Sequence, residues 1–145
     1  MLRLSGSFGR LAALLLVHSA VIGAPLALQC PARYPEPERL KKMLASGWRA
    51  SAAGAVNAPF DQAGALTGSP EENAELRGSE FPNGTGSRFN FLGTAEDGEK
   101  WVFCSYAAEQ GRVRLLHAVP IATKRCEAHV KRSAERAVAA TIRCD

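Results

Sequence analysis

The chain has 145 residues, 18 Lys+Arg against 14 Asp+Glu, a formal charge of +4 and four cysteines. That length fits one domain, or one domain plus a processed segment, and excludes a multi-domain enzyme or a nucleotide-binding domain with a partner domain. Apolar residues make up 46%, enough to build a core and too many for a chain disordered by composition.

Residues 1–27 read as a secretory signal. Arg3 and Arg10 supply a positive start, and Leu11 to Ile22 is an apolar run of twelve residues interrupted only by His18 and Ser19. A bilayer-spanning helix needs about 20 apolar residues, so the run suits export rather than anchoring. Small residues follow at Gly23, Ala24 and Ala27, so cleavage is expected near residues 24–27, leaving one domain over residues 28–145. Pro25 disfavours a cut immediately before it. Ala27-Leu28-Gln29 lacks the small residues that precede a lipidated cysteine, and no second apolar run follows, so no stable membrane anchor is expected after processing. The protein is expected to be periplasmic or secreted. The signal carries two arginines and no acids, so the remainder has 16 bases and 14 acids, a net of +2. The global case for a polyanionic partner loses most of its force.

Residues 31–37 are proline-rich and extended. Residues 38–45 place Leu40, Met43 and Leu44 on one helical face, with Gly47 as the stop. Strands are expected over residues 48–54 and 59–67. Ser69-Pro70-Glu71-Glu72 carries the signature of a helix start, a capping serine, a proline in the first turn and a glutamate that reaches back. A second short helix is therefore predicted there, ending at Gly78. Asn83-Gly84-Thr85 matches a glycosylation acceptor, meaningful only in a eukaryote, and also a common turn pair. Residues 87–95 and 99–107 flank Asp97-Gly98, a strong two-residue turn signal. As a hairpin they pair Phe91 with Cys104 and Phe89 with Tyr106. A strand over residues 112–119 follows, and then a last hairpin of residues 124–132 and 137–144.

Cys30, Cys104, Cys126 and Cys144 all lie beyond the signal, and an even number in a short exported chain implies two disulfides. Their separations of 74, 22 and 18 residues do not suit zinc, whose ligand pairs sit two to four residues apart. In the last hairpin, pairing Val130 with Ala140 sets Ala128 against Ile142 and Cys126 against Cys144 on one face. That register favours Cys126–Cys144 and Cys30–Cys104. The pairing Cys104–Cys126 with Cys30–Cys144 stays open if the strand holding Cys126 lies beside that holding Cys104.

Charge is uneven. Residues 71–99 carry seven acids and two bases, and residues 112–143 carry eight bases and two acids. The outward face of the last hairpin shows Arg125, His129, Lys131 and Arg143, with Glu127 opposite Arg143, and forms a candidate patch for an acidic envelope protein or an anionic polymer. Trp101 and Phe103 form either the second half of the core or a candidate aromatic surface. Chemistry has few candidates. The glutamates at positions 71, 72 and 75 and the acids Glu96, Asp97 and Glu99 read as solvated turn charge. No HExxH, mature GxSxG or phosphate-cradling loop is present, and with every cysteine paired no thiol remains as a nucleophile. No cofactor and no metal is implied, and the exported location and lack of a motif argue against nucleic acid.

Cys30-Pro31, Gly47-Trp48, Gly68-Ser69-Pro70, the run Trp101-Val102-Phe103-Cys104-Ser105-Tyr106, Val113 to Val119, Cys126 and Cys144 together resemble a family of small exported bacterial four-cysteine proteins. The resemblance implies a periplasmic, β-rich domain and transfers no activity and no catalytic residue. A looser likeness, of architecture alone, is to bacterial lysozyme inhibitors. These readings predict a mainly β domain, an antiparallel sheet curled or sandwich-like, with one or two short helices and two disulfides. It is expected to act as a non-catalytic binding or inhibitory module. A small hydrolase using His117 or His129, and a structural envelope protein, are the alternatives.

Overall fold

The computed structural model describes residues 25–145 except 53–54, 93–97 and 135. In chain order the elements are β1 (Leu26–Cys30), α1 (Pro37–Ala45), β2 (Trp48–Ala50), β3 (Phe60–Thr67), β4 (Ala74–Glu75), β5 (Ser79–Glu80), β6 (Gly86–Asn90), β7 (Lys100–Ala108), β8 (Gly111–Ala118), β9 (Arg125–Ser133) and β10 (Arg136–Cys144). The strands form two five-stranded antiparallel sheets, ordered β1-β10-β9-β6-β5 and β2-β8-β7-β3-β4. One core joins them: Phe89, Cys126, Ala128, Ala140 and Ile142 from the first sheet meet Ala65, Val102, Cys104, Tyr106 and Leu115 from the second. The result is a sandwich, the arrangement in which two half-apolar sheets cover each other. Among the described residues no helix is long and apolar enough to cross a membrane.

The alternation in β9 and β10 puts one face of each strand into this core, and the register is the expected one: Val130 opposite Ala140, Ala128 opposite Ile142, Cys126 opposite Cys144. A bulge between Ala137 and Ala139 adds one irregularity near the start of β10. Both favoured disulfides are formed, Cys126–Cys144 within the sheet and Cys30–Cys104 between the sheets, and neither leaves a free cysteine. The helix also forms where expected. Proline opens it, Glu38 lies in its first turn and Lys42 in its last. Leu40 and Met43 pack against the core, whereas Leu44 stays 43% exposed.

Two expectations are corrected. Residues 87–95 do not form a hairpin with residues 99–107. β6 pairs with β5 and β9, whereas β7 pairs with β3 and β8. A strand apolar on both faces needs two partners and cover on both sides, and β7 gains its partners from β3 and β8. Phe89 and Phe91 still share a core with Cys104 and Tyr106, but across the layers instead of along a ladder. The acids Glu96 and Asp97 of the expected turn lie outside the described residues, as does the expected signal up to residue 24. The second helix is a single turn. Glu72 does reach back to the Ser69 N–H at 3.0 Å, but Asn73 adopts φ +52, which ends the turn, and Leu76 donates to the Ala65 carbonyl of β3. The segment thereby joins the sheet as β4.

Closed loops of unequal length predict unequal contributions to stability. With the paired cysteines 74 and 18 positions apart, chain entropy gives about 4.5 kcal/mol for Cys30–Cys104 and about 3 kcal/mol for Cys126–Cys144. Urea unfolding of C30A/C104A and C126A/C144A should show the larger loss in the first, and thiol titration of the oxidised protein should find no free thiol.

Candidate binding surface

The outer face of the first sheet gathers the residues singled out on the last hairpin. Inward Cys126, Ala128 and Val130 alternate with outward Arg125, Glu127, His129 and Lys131, and Arg143 stands across from Glu127. Arg125, His129, Lys131 and Arg143 are all exposed. Neighbouring strands widen the face: β6 sets Arg88 beside Glu127, and β1 sets Ala27 beside Arg143 and Gln29 beside Thr141.

The charges on this face are partly tied together. Glu127 is not held by Arg143, as cross-strand placement suggested. It accepts a hydrogen bond from Arg88 Nε at 2.8 Å and lies 3.5 Å from His129 Nε2. A guanidinium hydrogen bond outcompetes a charge that only stands opposite. The Arg88 hydrogen bond holds the Glu127 carboxyl below the usual carboxylate range. The His129 ring lies against Phe81 with centroids 5.1 Å apart, and Arg88 stands 5.8 Å from the same ring. Arg125 pairs with the Asp145 carboxylate at 3.4 Å. Lys131 and Arg143 have no ion-pair partner among the described residues, so they present their charge to solvent.

Phe81 reaches His129 because the chain turns tightly between β5 and β6. Gly86, at φ +154, lies so close to β9 that a Cβ there would sit 2.0 Å from the Ala128 carbonyl oxygen, a position only glycine fills. Asn83 is taken up in the same turn. Its Oδ1 accepts from the Thr85 hydroxyl at 2.6 Å and the Thr85 N–H at 3.2 Å, which makes it a turn former.

Trp101 and Phe103, the candidate aromatic surface, are buried at 8% and 1% exposure. They pack with Leu66 and Leu116 on the outer side of the second sheet, and Phe103 rests on Gly64, where a Cβ would lie 2.3 Å from the ring. Arginines cover them: Arg49 lies 5.2 Å over Trp101 and Arg114 4.3 Å over Phe103. Acids of the 71–75 segment hold that cover in place, Glu71 with Arg49 at 3.3 Å and Glu75 with Arg114. Those glutamates therefore serve the roof of a satellite core, and the second sheet offers no open apolar patch here.

His117 and His129 occupy different settings. His117 packs edge-on against Trp48, and its Nδ1 lies 2.7 Å from the Ala118 carbonyl. Of these two, His129 has an acid beside it among the described residues, and that acid is engaged by Arg88.

Residues 55–145, more than half of the chain, match the model of the family described as Type VI secretion system Tli immunity protein. No curated protein and no solved structure gives a significant match. The resemblance read from the sequence pointed to a family with no assigned activity; the family matched here carries a role in its description.

The Glu127 contacts predict a pH dependence. A carboxyl with a lowered folded pKa contributes stability above its unfolded pKa and loses it as pH falls through the folded one. Replacing Glu127 with Gln should cost up to about 1 kcal/mol at pH 7, the scale of a half-exposed ion pair. Urea midpoints of the wild type and E127Q should differ at neutral pH and converge in strong acid.

Proposed function

Because the chain belongs to the Type VI secretion system Tli immunity protein family, we propose that it is a periplasmic, non-catalytic binding module that neutralises a cognate effector protein. The docking element is the outer face of the first sheet. Arg125, His129, Lys131 and Arg143 share that exposed face, and two of their charges, Lys131 and Arg143, have no ion-pair partner among the described residues. This single observation carries the reading. An acidic patch on the effector complements such a face, and family membership favours a protein partner over an anionic envelope polymer. Exposed complementary charge of this kind acts chiefly through the association rate and makes it sensitive to salt. Small residues, Ala27 beside Arg143 and Thr141 beside His129, flank the cations on this face.

Export places the module where such an effector acts. The sheet supports a processing bond ahead of β1, which pairs with β10 along its whole length, from Leu26 opposite Cys144 to Cys30 opposite Ala140. A cut after Ala27 would remove two of those five pairs. Cleavage no later than residue 25 keeps the strand whole.

Two measurements test these statements. The type VI effectors of the same genome, directed one at a time to the periplasm of a host, should include one whose toxicity this chain suppresses. R125E/K131E/R143E should fold normally and lose that protection; protection from no effector, or full protection by the triple variant, would refute the proposal. Amino-terminal sequencing of the exported protein should begin no later than Leu26.

A further inference from the structure

A cleft of about 920 Å³ lies where the segment entering α1 faces the starts of β3 and β10. Its apolar lining includes Tyr34 and Phe60, 3% and 4% exposed. Three arginines, Arg33, Arg39 and Arg136, also line it, against Glu36 and Asp61. Asp61 is already neutralised by Arg112 at 3.0 Å, and Arg33 is steered by a hydrogen bond to the Asn57 carbonyl. Arg39 and Arg136 have no ion-pair partner among the described residues. The cleft therefore carries surplus positive charge beside aromatic side chains.

Tyr106 lies behind Tyr34 and Phe60, outside the lining of the cleft. Tyr106 meets both edge-on, at centroid distances of 5.5 and 6.1 Å. Its hydroxyl is buried and makes no hydrogen bond among the described residues, and burial pushes its pKa up against the opposing charge of Arg39. A buried hydroxyl without a partner is uncommon in folded proteins. The cleft is also continuous in the chain with the proposed docking face. Arg136, Ala137 and Val138 line it, and Ala139 follows directly, opposite Lys131.

We infer that this cleft receives an acidic loop of the effector, with its carboxylates held by Arg39 and Arg136 and an apolar side chain of the loop against Tyr34 and Phe60. The inference rests on the immunity reading, which supplies a protein partner. It adds a recessed anchor to a flat face, the combination in which a few buried contacts dominate affinity while rim charges steer approach. Guanidinium groups suit the role because they bind carboxylates through two parallel hydrogen bonds and tolerate an aromatic surface beside them.

The probe is a capped peptide of alternating glutamate and phenylalanine, titrated into the isotopically labelled exported protein and followed by backbone amide shifts. A glutamine-for-glutamate peptide is the control. The acidic peptide should shift the amides of Arg39, Phe60, Ala137 and Val138, bind roughly tenfold more tightly than the control at low salt, and weaken as salt is raised. R39A/R136A should lose about that factor, and R39K/R136K, which keeps the charge without the planar fork, should fall between. Absence of binding, equal binding of the two peptides, unchanged binding by R39A/R136A, or shifts confined to the outer face around Lys131 and Arg143 would overturn the inference. The two readings fail separately. Effector protection that persists while the peptide ignores the cleft removes only this inference; protection from no effector removes the immunity reading.

Discussion

The bond between Cys30 and Cys104 fixes how the two sheets meet. Cys104 lies fully buried at the centre of β7, with Ala63 on one side and Leu115 on the other, and its partner ends β1 in the opposite layer. The Cα atoms are 5.5 Å apart, whereas stacked sheets ordinarily lie about 10 Å apart. Such an approach needs small neighbours. Ala140 stands beside Cys30 and Ala63 beside Cys104, and the run from Ala63 to Ala65 holds nothing larger than alanine. Larger groups, Tyr34, Phe60, Phe89 and Tyr106, fill the space around the pinch. For a small domain, whose core alone supplies modest stability, a staple between the sheets organises the packing around it.

That arrangement divides the labour of the two outer faces. The second sheet closes its outer side with Arg49 and Arg114, each placed over an aromatic ring and tied to an acid of the 71–75 segment. Its charges are spent internally. The first sheet keeps Lys131 and Arg143 outside any such pairing, on strands whose inner faces are already buried. The uneven distribution along the sequence, acidic over residues 71–99 and basic over residues 112–143, thus resolves into a self-neutralised face and a basic one.

Parts of this were legible in the sequence because local pattern and long-range constraint agreed. In β9 and β10 the alternation, the short connection and two cysteines at matching positions all demanded the same register. Around residues 69–76 the local signal was real but incomplete: the Glu72 carboxylate caps Ser69 as a helix start would, and Asn73 in a left-handed conformation then ends the turn. For β6 and β7 the Asp97-Gly98 pair suggested a hairpin, yet the demand of a doubly buried strand for two partners assigned them to different layers. The burial of Trp101 was not decidable from its own strand, because the groups that cover it, Arg49 and the 71–75 acids, come from elsewhere. The cleft was invisible for the same reason, since Arg39 and Arg136 meet only through tertiary structure.

The pairing of β1 with β10 sets the order in which the molecule can be assembled. The first strand of the folded domain hydrogen-bonds to the last, with Leu26 opposite Cys144. A chain that emerges amino-terminus first must leave β1 unpaired until nearly every residue has followed it. The sheet with the basic face is therefore completed last, and a chain truncated before residue 136 loses the strand that joins β1 to β9 and, with it, the partner of Cys126. Non-local closure of this kind is slow compared with hairpin formation.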